Sequence, residues 1–188
     1  MQNYLFTNTK LKKVGAKAFD LQPGKTCVKC KICCFGQKGF YKVFPKACLK
    51  KWFRNFKLAK NTKLFITTLS SEIKRLKTTE IIRIHAVGDF YDQDYLNAWA
   101  EIIKQNPTMH FYAYSKSLHL DWSEILSLPN FQRIQSLGGE FDSLINWSEP
   151  VARVFKTLEE LEEAEYNNGS ADDRLAAWGA LRVGLIQH

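Results

Sequence analysis

The sequence predicts an α/β protein with a mainly parallel sheet built from βαβ units. Two observations lead to this class. Short β-branched or aromatic runs alternate with helical stretches over residues 79–188, which is the pattern of βαβ units. The 188 residues are 45% apolar and 24% charged, enough to bury one real core. We therefore expect a single domain, 1–188, made of a basic cysteine-containing segment, 1–78, and βαβ repeats, 79–188.

The N-terminal segment is predicted to hold one strand, a turn and two helices. Ala16–Leu21 has the composition of a strand, and Pro23-Gly24 predicts a turn after it. Apolar residues at three-to-four spacing predict helices over Ala47–Leu58 and Thr62–Leu76. Asn61 or Thr62 is a suitable cap for the second helix.

The remainder is predicted to alternate strands with helices. The predicted strands are Ile81–Val87, Met109–Tyr114, Phe131–Leu137, Val151–Phe155 and Val183–Gln187. The predicted helical segments are Asp92–Gln105, Trp122–Leu128, the turn Leu144–Trp147, Leu158–Tyr166 and Ala171–Gly179. Such an alternation implies right-handed crossovers between parallel strands.

Charge is distributed unevenly along the chain. Residues 1–78 hold 19 lysines and arginines against two acids, a net of +17, whereas residues 79–188 carry a net of −9. A field of this sign attracts polyanions, nucleic acid above all. It would also attract an acidic protein surface. The cations expected to contact such a partner are Lys46, Lys50, Lys51, Arg54 and Lys57.

Aromatic residues are interleaved with these cations. They are Phe40, Tyr41, Phe44, Trp52, Phe53 and Phe56. Single-stranded nucleic acid uses such rings as stacking platforms. The same rings also suit the core face of an amphipathic helix, and the sequence leaves both interpretations open.

Five cysteines are concentrated in the basic segment. They are Cys27, Cys30, Cys33, Cys34 and Cys48. Thiolates two or three residues apart converge readily on one soft metal ion, which predicts zinc or an iron–sulfur cluster. Neighbouring lysines lower thiol pKa values and offset the charge of such a site. Buried or merely reactive thiols are the alternative.

Polar residues follow the predicted strands, where parallel α/β folds bind their ligands. His85 and Asp89 are the candidate catalytic pair, with His85 as a general base, metal ligand or phosphate-binding donor. The alternative is a structural Arg–Asp pair beside a hydrogen-bonded core histidine. Strand alternation predicts that Arg83 and His85 face one side of the sheet. The further candidate ligand-binding residues are Arg83, Ser115, Lys116, Gly138, Gly139 and Asp142. We expect the cysteine loop to lie against this same rim.

The chain resembles the phage- and plasmid-encoded gene product 88-like family over most of residues 3–145. The matching stretches are Asn8–Leu11, Pro23–Cys27, Cys34-Phe35, Gly39–Tyr41, Arg83–Tyr91, Tyr95 with Trp99, Phe111–Lys116 and Pro129-Asn130. The resemblance implies a mobile-element protein that works in a bacterial cytoplasm. More distantly, the chain is similar to radical S-adenosylmethionine enzymes, which pair a three-cysteine loop with a partial barrel. This similarity implies that the parallel sheet forms a partial, or half, barrel. The Cys-x3-Cys-x2-Cys motif of those enzymes differs from Cys27-x2-Cys30 followed by x2-Cys33 or x3-Cys34.

Two functional hypotheses follow. The first is a metal- or iron–sulfur-binding α/β protein that engages nucleic acid through its basic segment. The second is a non-catalytic inhibitor that covers a host defence or nucleic-acid-processing protein.

No apolar run approaches the roughly 20 residues of a membrane span, and the N-terminus lacks the apolar segment of a secretory signal. We therefore expect a cytoplasmic protein with no membrane partner.

Overall fold

A parallel sheet of seven strands organises the computed structural model, which describes residues 3–27, 43, 45–171 and 173–187. The strands are β1 (Ala16–Phe19), β2 (Ile81–Ile84), β3 (His110–Ser115), β4 (Phe131–Ser136), β5 (Val151–Phe155), β6 (Asn167–Asn168) and β7 (Arg182–Ile186). Their spatial order is β1-β2-β3-β4-β5-β7-β6, and every neighbouring pair is parallel. The sheet stays open, so the predicted α/β partial barrel is confirmed.

Seven helices lie within the described residues. They are α1 (Thr9–Lys13), α2 (Pro45–Ala59), α3 (Thr62–Lys74), α4 (Gln93–Lys104), α5 (Ser123–Leu126), α6 (Leu158–Glu163) and α7 (Arg174–Ala177). The helical turn expected over Leu144–Trp147 is a 3-10 turn at Asp142–Leu144 instead. In the part of the chain that is described, none of these helices has the length and apolar character needed to cross a membrane.

Side-chain caps fix where several helices begin. Asn61 accepts a hydrogen bond from the Leu64 amide at the start of α3, and Asp92 accepts one from the Tyr95 amide at the start of α4. Each cap satisfies a backbone N–H that has no partner within its helix. The helix predicted from Asp92 therefore starts one residue later, because Asp92 itself has extended backbone geometry.

The two faces of the sheet bury different layers. Helices α2 to α5 cover the outer face, where Phe65 and Trp99 pack against strand residues such as Phe19. The inner face is apolar as well and is covered by α1 and α7, through Leu11 and Ala176. Successive strand residues alternate between these two layers. As a result, the interior of the partial barrel is filled by side chains and by α1 and α7.

Candidate functional site

The carboxyl ends of the parallel strands meet at one rim of the sheet. Asp20 directly follows β1, His85 directly follows β2, and Ser115 is the last residue of β3. All three are buried. Polar groups therefore do gather at the rim where the sequence predicts a site, but they are enclosed by neighbouring loops and helices.

Arg83 and His85 lie on opposite faces of the sheet, so the expectation that they share one side is wrong. Arg83 reaches the inner layer, where it forms an ion pair with Asp173. His85 has a φ of 64°, in the left-handed region, which turns its side chain away from the side that strand alternation predicts. Its imidazole consequently packs in the outer layer, against Phe90 and Tyr95.

The imidazole of His85 is enclosed and neutral. Its Nε2 atom lies 2.9 Å from the hydroxyl oxygen of Tyr95, and its ring centroid lies 4.8 Å from that of Phe90. Burial, helped by the charge of Arg83, lowers the pKa of His85 to about 3. Within the described residues, Nδ1 has no hydrogen-bond partner. This is the geometry of a hydrogen-bonded core histidine, and a catalytic role for His85 stays a prediction.

Asp89 joins the loop after β2 to the end of β3. Its carboxylate accepts hydrogen bonds from the Ser115 hydroxyl at 2.7 Å, the Phe90 amide at 2.8 Å and the Lys116 amide at 2.8 Å. Burial raises the pKa of Asp89 to about 6, although these donors oppose the shift. No hydrogen bond or ion pair among the described residues connects Asp89 to His85. The predicted pair therefore shares a rim without acting on a common proton.

The diglycine after β4 binds an anion that the chain itself supplies. The amides of Gly138 and Gly139 donate to the Asp142 carboxylate at 3.0 and 2.9 Å. The Lys116 ammonium donates to the Leu137 carbonyl oxygen at 2.8 Å. The two amides thus have a geometry that binds an anion, and here the anion is the carboxylate of Asp142. An external ligand would have to displace Asp142 to reach them.

Asp20 is a rim residue that was not among the predicted site residues. Its carboxylate accepts hydrogen bonds from the amides of Ala86 and Val87 and forms an ion pair with Lys51 at 2.9 Å. The side-chain amide of Asn55 also donates to the Asp20 carbonyl oxygen at 3.0 Å. These contacts fasten α2 to the loop after β2. The signal was available, since Asp20 is a charged residue inside the predicted strand Ala16–Leu21, and a charge in a buried strand requires a partner.

A second buried polar cluster fills the inner face. The Asp173 carboxylate meets the Arg83 guanidinium at 2.6 Å, the Lys10 ammonium at 2.9 Å and the Tyr112 hydroxyl at 2.7 Å. Burial raises the pKa of Asp173, but the charges of Arg83 and Lys10 outweigh burial and hold it at about 2. The Arg–Asp pair of the alternative interpretation exists, but Asp173 and not Asp89 supplies its carboxylate.

The exposed face of α2 is basic and carries a large aromatic ring. Five exposed residues form this face, and each lies three or four residues from at least one other: Lys46, Leu49, Lys50, Phe53 and Lys57. We call these five residues the α2 face. The other two predicted cations are engaged elsewhere, since Lys51 pairs with Asp20 and the Arg54 guanidinium lies 5.0 Å from the Tyr4 ring centre.

The two acidic residues among residues 1–78, Asp20 and Glu72, are both buried. Asp20 is 0% exposed and Glu72 is 5% exposed, and the Glu72 carboxylate accepts hydrogen bonds from the amides of Tyr4 and Leu5. The surface of this basic segment therefore presents cations with no exposed carboxylate of its own. The acidic helix α6 lies beside β5, β6 and β7, at the edge of the sheet opposite to β1.

Two of the five cysteines fall within the described residues. Cys48 is buried against Trp52 and Val87, and Val87 belongs to the loop after β2. Cys27 is half-buried and follows Thr26, whose hydroxyl accepts a hydrogen bond from the Asp89 amide at 3.4 Å. We call the stretch from Cys27 to Cys48 the cysteine segment. Residues at both of its ends thus lie against the rim that carries His85 and Asp89. The predicted ligands Cys30, Cys33 and Cys34 lie outside the described residues.

The described residues do not complete a metal site by themselves. No three of their histidine, cysteine, aspartate or glutamate side chains lie together in a way that could hold a metal ion. Burial raises the pKa of the Cys48 thiol, which opposes the thiolate that a metal requires. Half-buried Cys27 fits a thiolate ligand better than Cys48 does.

The fold and rim define a class of protein: an open, all-parallel α/β sheet with a filled interior, a polar carboxyl rim and a basic helix fastened to it. The family model for gene product 88 matches residues 2–183, so the chain belongs to the gene product 88 family, as its sequence motifs indicate.

Among curated proteins, the chain is similar to the Gene 88 protein of Mycobacterium phage L5. The two are 29% identical over 100 residues, which make up 50% of this chain and 42% of that protein. The match therefore spans less than half of the relative's length. No solved structure matches the chain. These comparisons establish the gene product 88 family, and neither the family's description nor the relative's name states a biochemical activity.

Proposed function

We propose that this phage protein binds nucleic acid through the α2 face and holds zinc or an iron–sulfur cluster with thiolates of the adjoining cysteine segment. One observation supports the first part most strongly: the α2 face presents three exposed lysines around Phe53, while both acids of residues 1–78 are buried. Phosphate oxygens would meet these lysines without repulsion from an exposed carboxylate of residues 1–78.

The anchoring of α2 also suits a binding surface. Lys51 and Asn55 fix the helix to Asp20 from its inner side, and Trp52 is buried beneath it. The outer lysines are therefore held on a rigid helix, which reduces the entropy that a bound ligand must remove from the protein. The acidic helix α6 lies at the edge of the sheet opposite to β1, where its carboxylates would not repel a polyanion bound on α2.

A charge-matched comparison tests the nucleic-acid proposal. The test variant is K46Q/K50Q/K57Q and the control is K104Q/R153Q/K156Q, each of which removes three positive charges. Fluorescence anisotropy with a labelled oligonucleotide measures affinity. Three phosphate contacts contribute on the order of 100-fold in affinity at about 0.1 M salt, so the test variant should lose about that factor. Equal losses in the two variants would show that only net charge matters and would contradict the proposal.

The metal part of the proposal rests on the cysteine segment and its two contacts with the rim. We assign Cys27, Cys30, Cys34 and Cys33 as the ligands in preference to Cys48, because burial opposes ionisation of the Cys48 thiol. Bound zinc would stabilise the segment, and an iron–sulfur cluster would add redox chemistry. The basic surroundings offset the negative charge of a thiolate-rich site.

Metal analysis of protein purified without oxygen tests this part. Wild-type protein and Cys48→Ala should retain zinc or iron, whereas Cys27→Ser should lose it. An ultraviolet–visible spectrum separates the two metals, because a charge-transfer band with iron indicates a cluster. Less than about a tenth of an equivalent of bound metal in the wild-type protein would contradict the proposal. Loss of metal from Cys48→Ala alone would contradict the choice of ligands.

A non-catalytic inhibitor of a host defence or nucleic-acid-processing protein is the second candidate. The enclosure of His85 and Asp89 favours it, because a general base must reach its substrate. The α2 face would then contact an acidic protein surface. This candidate predicts that His85→Ala preserves inhibition, and that the protein binds neither single-stranded nor duplex nucleic acid at low salt.

A further inference from the structure

Phe53 is the most unusual member of the α2 face. It is 67% exposed, although burial of a phenylalanine ring is ordinarily favourable. Lys50 lies three residues before it and Lys57 four residues after it, so a cation stands one helical turn away on each side. A single exposed apolar side chain is common on protein surfaces. A ring flanked on both sides by unopposed cations is the arrangement that nucleic-acid-binding surfaces use.

A second aromatic group continues the same surface toward the rim. The rings of Phe56 and Tyr91 lie 5.4 Å apart, and the Lys60 ammonium lies 4.3 Å from the Tyr91 ring centre and 5.3 Å from that of Phe56. Tyr91 follows Phe90 in the loop after β2 and stacks on Tyr95. A second aromatic group thus lies near the end of α2, where Lys60 also pairs with the Asp92 carboxylate at 3.7 Å.

We infer that the ligand of the α2 face is single-stranded nucleic acid, with a base stacked on Phe53 and the flanking phosphates on Lys50 and Lys57. This inference rests on the proposed nucleic-acid function and narrows its substrate class. In a duplex the faces of the bases are already stacked on one another, so a ring on a helix surface gains nothing from them. The lysines, by contrast, meet phosphates in either form. Only the single-stranded form uses both components of the face.

The variant Phe53→Ala distinguishes binding to single-stranded nucleic acid from binding to the duplex. We expect it to weaken binding to a single-stranded oligonucleotide by between about 5-fold and 150-fold, the range for loss of one base–aromatic contact. Binding to the duplex of the same sequence should change by less than about 2-fold. Phe53→Trp should restore single-strand affinity, and Phe53→Leu should not, because leucine retains apolar bulk without a π face.

Leu64→Ala provides the matched control, since Leu64 is an exposed apolar residue on α3 beside Lys63. It should leave both affinities unchanged. Thermal unfolding of each variant verifies that the fold is intact. Equal affinity of the wild-type protein for single strand and duplex, with no effect of Phe53→Ala, would refute the single-strand inference and leave nucleic-acid binding in place. Binding to neither form would refute the proposed function itself.

Discussion

Asp173→Asn is predicted to destabilise the protein strongly, because it removes the buried carboxylate that pairs with two partly buried cations, Arg83 and Lys10. Arg83 and Lys10 lie 2.6 and 2.9 Å from this carboxylate, and the side chain of Asp173 is fully buried. Breaking a buried ion pair by removing one partner costs about 3–5 kcal/mol. Lys10 remains partly exposed, so we expect the lower end, about 3 kcal/mol. For a chain of this length that corresponds to a fall in Tm of roughly 6–12 °C.

Thermal and urea unfolding of the variant measure this loss. Glu124→Gln is the control, because it breaks the exposed pair between Lys104 and Glu124 and should lower Tm much less than Asp173→Asn does. Adding Arg83→Met to Asp173→Asn should recover part of the stability by removing an uncompensated buried charge. If Asp173→Asn lowers Tm no more than Glu124→Gln does, the inner cluster is not a buried ion-pair network and this reasoning is refuted.

Two other predictions concern the rim. Gly88→Ala should cost about 3 kcal/mol or more in unfolding free energy, because φ is 92° and the new Cβ would lie 2.8 Å from Leu21 Cβ. Gly24→Ala, also at positive φ but in open space, should cost only about 1–2 kcal/mol, and equal costs would contradict the close approach. Asp89→Asn should make the free energy of unfolding rise by about 1.4 kcal/mol per pH unit between about pH 4 and 6 relative to wild type. A pH titration of urea unfolding measures this slope, and an unchanged slope would contradict the buried, proton-binding Asp89.

The sign of the change in slope follows from Asp89, whose contribution to the pH dependence of unfolding free energy is opposite to that of His85. The folded pKa of His85, about 3, lies below its ordinary value, so His85 contributes stability that is lost as pH falls below about 6.5. The folded pKa of Asp89, about 6, lies above its ordinary value, so Asp89 contributes stability that is lost as pH rises from about 4 to 6. Replacing Asp89 removes its falling contribution and leaves the rising contribution of His85, so the variant's slope is more positive than that of the wild-type protein.

The local pattern of the sequence was sufficient to predict most of the fold. The strand Val151–Phe155 has the predicted bounds, and the other predicted strands and main helices are present with ends shifted by a few residues. Among the strands the largest shift is at β2, which ends at Ile84 because His85 adopts a left-handed backbone. Periodicity reports which residues are apolar, but a single left-handed residue leaves no trace in that pattern.

The candidate site was predicted less completely, because its groups depend on contacts between distant residues. The partner of Arg83 is Asp173, 90 residues away, and nothing in the sequence near Arg83 indicates it. Composition revealed the basic segment but not that Asp20 and Glu72 are buried. It also did not separate Lys50 and Lys57, which are exposed, from Lys51, which is bound to Asp20. Those distinctions depend on how α2 is rotated against the sheet.

The salt dependence of oligonucleotide binding tests the central claim, that the α2 face carries the nucleic-acid contacts, most directly. Affinity would be measured from about 50 to 200 mM salt for the wild-type protein and for K46Q/K50Q/K57Q. Each lost phosphate contact lowers the slope of log affinity against log salt by about 0.7 for a single strand, so we predict a slope smaller by about 2 in the variant. Parallel lines for the two proteins would show that these lysines contact no phosphate, and would contradict the account.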